Sequence, residues 1–99
     1  MSYTYELRQE AAVEFANSYI WYEEEQDGLG DRFIAAFYSK LNQICENPYH
    51  YKTSYKNYHE ALTEKFPFLI VYNIVETEKK VIVMAIFHTS RNPKKKFRK

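Results

Sequence analysis

Residues 66–88 read FPFLIVYNIVETEKKVIVMAIFH and contain two long apolar runs separated by a short polar stretch. The runs 66–76 and 81–88 are rich in β-branched and aromatic residues, which favours two strands. The polar stretch 76–80 is short enough for a hairpin connection, so the two strands are predicted to be antiparallel neighbours. They form the centre of the predicted fold.

Two helical patterns precede these strands. In residues 10–26 the apolar residues recur at three- and four-residue spacing, which predicts a helix. Its predicted buried stripe is Ala12, Phe15, Ala16, Tyr19 and Tyr22. A second stripe comprises Leu29, Phe33, Ala36, Phe37, Leu41 and Ile44. This helix is predicted to end at Asn47-Pro48, because the residue before a proline disfavours helical geometry. Gly28 and Gly30 are predicted to end the first helix and allow a tight reversal into the second.

The remaining segments complete a predicted α+β fold. Residues 3–8 alternate weakly between aromatic and polar, which suggests a short strand, and residues 58–65 suggest another. Residues 49–57 have no clear period and are predicted to be a loop or an irregular edge. We therefore predict an N-terminal strand, an antiparallel two-helix hairpin and a mainly antiparallel sheet of three further strands. The prediction is one domain over residues 1–91, followed by a basic tail over residues 92–99.

Charge is divided unequally along the 99 residues. Six of the nine residues 91–99 are Lys or Arg, whereas the residues before them carry eight basic and thirteen acidic side chains. This polarity indicates a charged partner. A single cysteine, Cys45, excludes an internal disulfide, and no apolar run approaches the roughly 20 residues that span a bilayer. We expect a cytoplasmic protein without membrane contact.

The composition also limits the chemistry. With two glycines in all, the phosphate-binding loops of nucleotide enzymes are ruled out. Neither His50 nor His59 has a partner at metal or catalytic spacing, so both are interpreted as structural or solvent-facing. Cys45 lies beside the second helical stripe and is interpreted as a core residue. No cofactor and no metal site are predicted.

An apolar surface is expected on the sheet. Leu69, Val71 and Val75 point away from Ile70 and Ile74, because side chains alternate between the faces of a strand. Two helices cover one face only, so the face that carries Leu69, Val71 and Val75 is expected to be exposed and to bind a protein partner.

The second candidate site lies where the last strand ends. His88 and Arg91 leave the strand three residues apart, in a position from which they could bind a phosphate or an acidic side chain. The alternative is that His88 makes a structural hydrogen bond and Arg91 is a surface charge. The basic residues that follow are Lys94, Lys95, Lys96, Arg98 and Lys99. They fit a nucleic-acid backbone, an acidic protein partner or simply a soluble end.

A series of short motifs resembles one family. In chain order the motifs are Gly28-Leu29-Gly30 with Phe33, Asn47-Pro48, Phe66-Pro67-Phe68 with Tyr72, and His88 through Arg91 to Pro93. Their order and spacing over nearly the whole chain resemble the RelE/ParE superfamily of toxins from type II toxin-antitoxin systems. The resemblance implies a growth-arresting toxin with plasmid stabilisation as a role and a cognate antitoxin as partner. The antitoxin is expected to contact Leu69, Val71 and Val75.

The superfamily implies two alternative activities. RelE-type members cut messenger RNA on the ribosome with cationic side chains and a tyrosine or histidine, whereas ParE-type members poison DNA gyrase. When the RelE pattern is laid over this chain, its catalytic lysines fall on Glu60 and Leu62 and its strand arginine on Leu69. Its terminal tyrosine falls on Phe97, and only Arg91 keeps its type.

The Phe-Pro-Phe entry and the ending from His88 to Pro93 are more similar to the ParE branch. The chain departs from that branch at His59, where many ParE-like chains carry arginine. The resemblance therefore favours inhibition of DNA gyrase by protein contact. The expected target contacts are His88, Arg91, Lys94, Lys95, Lys96 and Arg98. One alternative is a ribosome-dependent mRNA endonuclease that uses His88 and Arg91. Another is an inactive member that only binds antitoxin.

Overall fold

The structure is a computed structural model and describes residues 2–63 and 65–89, where the chain forms two α-helices and one five-stranded sheet. The elements in chain order are β1 (Thr4–Leu7), α1 (Gln9–Glu25), α2 (Leu29–Glu46), β2 (Lys52–Thr53), β3 (His59–Leu62), β4 (Phe68–Val75) and β5 (Lys80–His88). Single turns of 3₁₀ helix occur at residues 48–50, 55–57 and 76–78. The predicted α+β class is confirmed.

The strands are arranged in the order β1-β5-β4-β3-β2. The N-terminal strand β1 runs parallel to β5, with Thr4 opposite Lys80 and Leu7 opposite Val83, and the other neighbours are antiparallel. Within residues 2–63 and 65–89 four strands follow the helices, so the prediction of three was wrong. The additional strand, β2, consists of two residues at the sheet edge, which is too short to produce a period in the sequence.

The β4–β5 hairpin is confirmed and contains an irregularity. Val71 pairs with Ala85 but Tyr72 pairs with Val83, so Met84 is an extra residue on β5. Such a β-bulge shifts the alternation of side chains along the bulged strand. As a result Val83 and Ile86 both belong to the core that faces the helices, although they are three residues apart.

Helix α1 has the predicted extent but a rotated buried face. Ala11, Ser18 and Tyr22 are buried, whereas the predicted stripe members Ala12 and Ala16 are exposed. The prediction was wrong at these two positions because α1 packs on both α2 and β5. The small residues Ala11 and Ser18 allow close contact there, and serine adds nothing to an apolar pattern.

The helical hairpin depends on two glycines with different roles. Gly28 precedes α2 and has φ +85°, a left-handed conformation that glycine adopts without strain. Gly30 lies inside α2, so the prediction that it ends α1 was wrong. A Cβ atom on Gly30 would lie 2.8 Å from Glu23 Oε1 and 2.8 Å from ring atoms of Tyr19. A larger residue at position 30 would therefore force the side chains of Glu23 and Tyr19 to shift.

The core lies between the helices and the inner face of the sheet. The predicted stripe of α2 is confirmed, since Phe33, Phe37, Leu41 and Ile44 are fully buried. Phe15 of α1 contacts Phe37 at a ring distance of 4.7 Å. Cys45 is also buried, and its burial raises the pKa of its thiol, in agreement with a core role. Neither described helix is long and apolar enough to span a membrane.

Candidate functional site

His88, a candidate target contact, faces the helices from the end of β5. It lies opposite Phe68, a fully buried core residue. Its Nε2 atom and Ser18 Oγ share a hydrogen bond of 3.1 Å. The imidazole ring centre lies 5.8 Å from the ring of Tyr22 and 6.2 Å from that of Phe68. These contacts fix β5 to α1, as expected of a structural histidine. Whether His88 also contacts a target stays a prediction.

The basic candidates Arg91, Lys94, Lys95, Lys96 and Arg98 lie outside the described residues, as do Phe97 and Lys99. Their proposed roles stay predictions based on the sequence.

The outer face of the sheet, on the side away from the helices, differs from the expected exposed apolar surface. Val71 is fully buried, while Leu69 and Val75 are half-buried. The expectation that Val71 is exposed was therefore wrong. Val71 lies on β4 between Glu60 of β3 and Ala85 of β5, and both of these neighbours are buried as well. Leu69 and Val75 keep some exposed surface.

The same outer face carries the positions onto which the RelE pattern falls. Glu60 is buried, and its Oε2 atom accepts a hydrogen bond of 2.6 Å from Ser54 Oγ. Leu62 is 56% exposed and pairs across the strands with Leu69. A carboxylate and two leucines thus occupy the positions where the nuclease pattern has cations. His88 lies on the opposite face, because it is opposite Phe68, the neighbour of Leu69 in β4.

His59, where many ParE-like chains carry arginine, is held inside the fold. It is buried, and its ring stacks on Tyr72 with a centre distance of 5.3 Å and an interplanar angle of 16°. Nδ1 lies 3.0 Å from the carbonyl oxygen of Tyr51. These contacts agree with the prediction that His59 is structural.

A polar cluster fixes the end of the sheet where β4 connects to β5. Glu76 Oε1 accepts hydrogen bonds of 2.7 Å from the hydroxyls of both Tyr3 and Tyr49, and Glu76 Oε2 forms an ion pair with Lys79. Hydrogen bonds from Lys79, Tyr3 and Tyr49 lower the pKa of Glu76 to about 2. The cluster joins the N-terminal segment, the turn at 48–50 and the hairpin connection.

One concave feature was not predicted. A groove of about 590 Å³ runs along α2 beside the connection between β3 and β4. Its lining residues include the three cations Arg32, Lys40 and Lys65. No pattern in the sequence indicates this site, because Lys65 reaches the groove from a separate loop. Within the described ranges no group of three or more potential metal ligands occurs.

The solved structures that are similar to this chain include proteins of toxin-antitoxin systems. A chain of the chromosomal ParDE system from P. aeruginosa matches with TM-score 0.76 and 12% identity, over 88% of this chain and 96% of that chain. A chain of the intact E. coli RelBE toxin-antitoxin complex matches with TM-score 0.68 and 15% identity, over 91% of this chain and 100% of that chain. The isolated E. coli RelE toxin matches with TM-score 0.68 and 14% identity, over 96% and 93%.

At these identities the structural matches establish the fold alone. Comparison with curated proteins gives no match. The family model described as ParE toxin of type II toxin-antitoxin system, parDE, matches residues 5–93, which is most of the chain. The chain therefore belongs to the ParE toxin family of type II toxin-antitoxin systems.

Proposed function

We propose that this toxin inhibits DNA gyrase by protein contact and does not cut messenger RNA. The observation that carries the proposal is the chemistry of the outer sheet face, where Glu60, Leu62 and Leu69 replace the cations of the nuclease pattern. RNA cleavage passes through a phosphorane with two negative charges, and loss of one stabilising donor typically costs about 10² to 10³ in rate. Three such losses leave too little stabilisation for catalysis.

The position of His88 supports the same conclusion. A nuclease that relies on His88 needs the imidazole beside the scissile phosphate, within hydrogen-bond reach of the proton it transfers. Nε2 is instead directed to Ser18 on the helix side of the sheet. The remaining nuclease candidate, Arg91, supplies one cation and no general base.

The basic end of the chain is the proposed effector surface. Arg91, Lys94, Lys95, Lys96 and Arg98 give a dense positive charge on an otherwise acidic protein. Such a charge increases the association rate with an acidic surface of a target protein. The cytoplasm, where gyrase acts, is the compartment that this function requires.

An antitoxin is the second proposed partner. The similar P. aeruginosa ParDE and E. coli RelBE structures are toxin-antitoxin systems, and a neighbouring gene is expected to encode the antitoxin of this chain. Leu69 and Val75 retain apolar surface for such a contact. Val71 is buried and does not contribute exposed area.

Induction of the chain in cells tests the effector surface. Arg91→Ala, and separately truncation after Asn92, should weaken growth arrest, while thermal unfolding of the purified domain stays unchanged. Lys52→Ala is the matched control, because Lys52 is exposed on the edge strand β2 and its removal also deletes one charge. If both variants arrest growth as strongly as the parent, the basic end is not the effector surface. Harmless induction of the parent itself would indicate an inactive family member.

A further inference from the structure

We propose that the groove beside α2 binds an acidic segment of the antitoxin, in which glutamate or aspartate alternates with small apolar residues. This inference rests on the proposed antitoxin partner and adds the chemistry of the contact. The groove is lined by residues of α2 and by Thr63, Lys65 and Phe66.

The shape of the groove favours a polypeptide. Ala35, Ala36 and Ser39 form a strip of small side chains along α2, and Thr63, Lys65 and Phe66 line the opposite side of the groove. Small side chains allow the backbone of a partner to approach the helix closely. The apolar residues Leu29 and Phe66 line the same groove and can contact small apolar side chains of the partner.

The charge of the groove favours an acidic partner. Arg32 and Lys65 form no ion pair with any other described residue, and both are exposed. Lys40 is held in place, since its Nζ donates a 3.1 Å hydrogen bond to Gln43 Oε1 and lies 5.6 Å from the ring centre of Tyr51. None of the described lining residues is acidic. Carboxylates of a bound segment would therefore form charge-assisted hydrogen bonds with these cations.

Two observations favour a peptide over a nucleic acid. Single-stranded nucleic acids bind by stacking bases on exposed aromatic rings, whereas the aromatic residue of this groove, Phe66, is 8% exposed. The chain before Arg91 also carries thirteen acidic against eight basic side chains, which repels a long polyanion. A short acidic peptide needs only the local cations.

An NMR titration tests the site without an identified antitoxin. The probe is a blocked peptide of six Glu-Ala repeats, added to ¹⁵N-labelled toxin at low salt. We expect shift changes that cluster at Ala35, Ala36 and Ser39. In the double variant Arg32→Glu, Lys65→Glu, binding should be about tenfold weaker or lost, because two attractive contacts become repulsive. The control Lys52→Glu should bind as the parent does.

Shift changes that are absent, or that persist unchanged in the double variant, would overturn the proposal. A six-nucleotide RNA that binds this groove more tightly than the peptide would also overturn it.

Co-purification with the product of the neighbouring gene separates this inference from the proposed function. An antitoxin that binds parent and double variant equally refutes the groove alone. An adjacent gene product that binds neither protein refutes the proposed partner, while the peptide titration still decides whether the groove takes acidic segments.

Discussion

Replacement of Glu23 by alanine should destabilise the helical hairpin more than the loss of an ordinary surface carboxylate does. Glu23 belongs to α1, yet its two carboxylate oxygens accept hydrogen bonds from the backbone N–H groups of Gly28, at 2.9 Å, and Gly30, at 3.0 Å. The residue before α2 is Gly28, which has no side chain to cap the helix. Glu23 therefore performs the capping from the neighbouring helix, where a negative charge also favours the N-terminus.

The expected loss follows from these two bonds. A helix cap contributes about 0.5 to 2 kcal/mol, and a hydrogen bond to a charged group about 1.5 to 3 kcal/mol. Water partly replaces the lost partner at this half-buried site, so we expect Glu23→Ala to reduce the free energy of unfolding by about 2 kcal/mol. For a domain of this size, that lowers Tm by roughly 8 to 16 °C.

Two variants make the test specific. Glu23→Gln keeps one acceptor oxygen and should lose about half as much stability. Glu24→Ala removes the same charge one residue later, from an exposed side chain, and should change stability by no more than about 0.5 kcal/mol. Urea unfolding followed by circular dichroism measures all three. Equal destabilisation by Glu23→Ala and Glu24→Ala would refute the capping argument and leave only a general charge effect.

Three further predictions concern other parts of the fold. Hydrogen bonds from Lys79 and two tyrosines lower the pKa of Glu76 to about 2, so ¹³C NMR of its carboxyl carbon should give a midpoint near that value. The stabilisation from Glu76 is complete above its unfolded pKa of about 4.5 and is lost as the pH falls toward 2. The variant Glu76→Gln should therefore lose less stability than the parent across this pH interval. If the parent and the variant unfold at the same acidic pH, the assignment is contradicted. Gly30→Ala should reduce the free energy of unfolding by about 1 to 3 kcal/mol, because the added methyl group overpacks the helical hairpin. Thermal unfolding measures this change. A variant more stable than the parent would show that the side chains around residue 30 move aside without cost. Tyr72→Phe should reduce the free energy of unfolding by about 1 kcal/mol, because the buried Tyr72 hydroxyl donates a 2.5 Å hydrogen bond to the carbonyl oxygen of Pro48. An unchanged midpoint in urea unfolding would show that this hydrogen bond does not stabilise the fold.

The local elements were largely predictable from the sequence. Asn47-Pro48 placed the end of α2, and the two apolar runs with a polar connection between them gave the β4–β5 hairpin. These signals are local, since each comes from a few consecutive residues. The turn at Gly28 is also indicated by a local signal, because few other residues adopt its positive φ without strain.

The features that were missed depend on contacts between distant segments. Parallel pairing of β1 with β5 joins the two ends of the described chain and has no local pattern. Ser18 belongs to the buried face of α1 because His88 bonds to it from the end of β5. Gly30 leaves room for the side chains of Glu23 and Tyr19 from α1, and Val71 is buried beside Glu60 of β3 and Ala85 of β5. Residue type alone indicates none of these contacts.

The candidate site was predictable only in part. The replacement of nuclease cations by Glu60 and Leu62 could be read from the sequence through the family resemblance. The structure adds that Glu60 is buried and hydrogen-bonded and that His88 lies on the opposite face. The cationic groove could not be predicted, because it combines residues of α2 with a residue of the β3–β4 connection.

An assay with purified components tests the central claim most directly. The toxin is added to DNA gyrase with relaxed plasmid and, in parallel, to translating ribosomes with a defined messenger RNA. The account predicts dose-dependent loss of supercoiling or accumulation of cleaved plasmid in the first reaction, and intact messenger RNA in the second. Unaffected gyrase together with messenger RNA cut on the ribosome would contradict it.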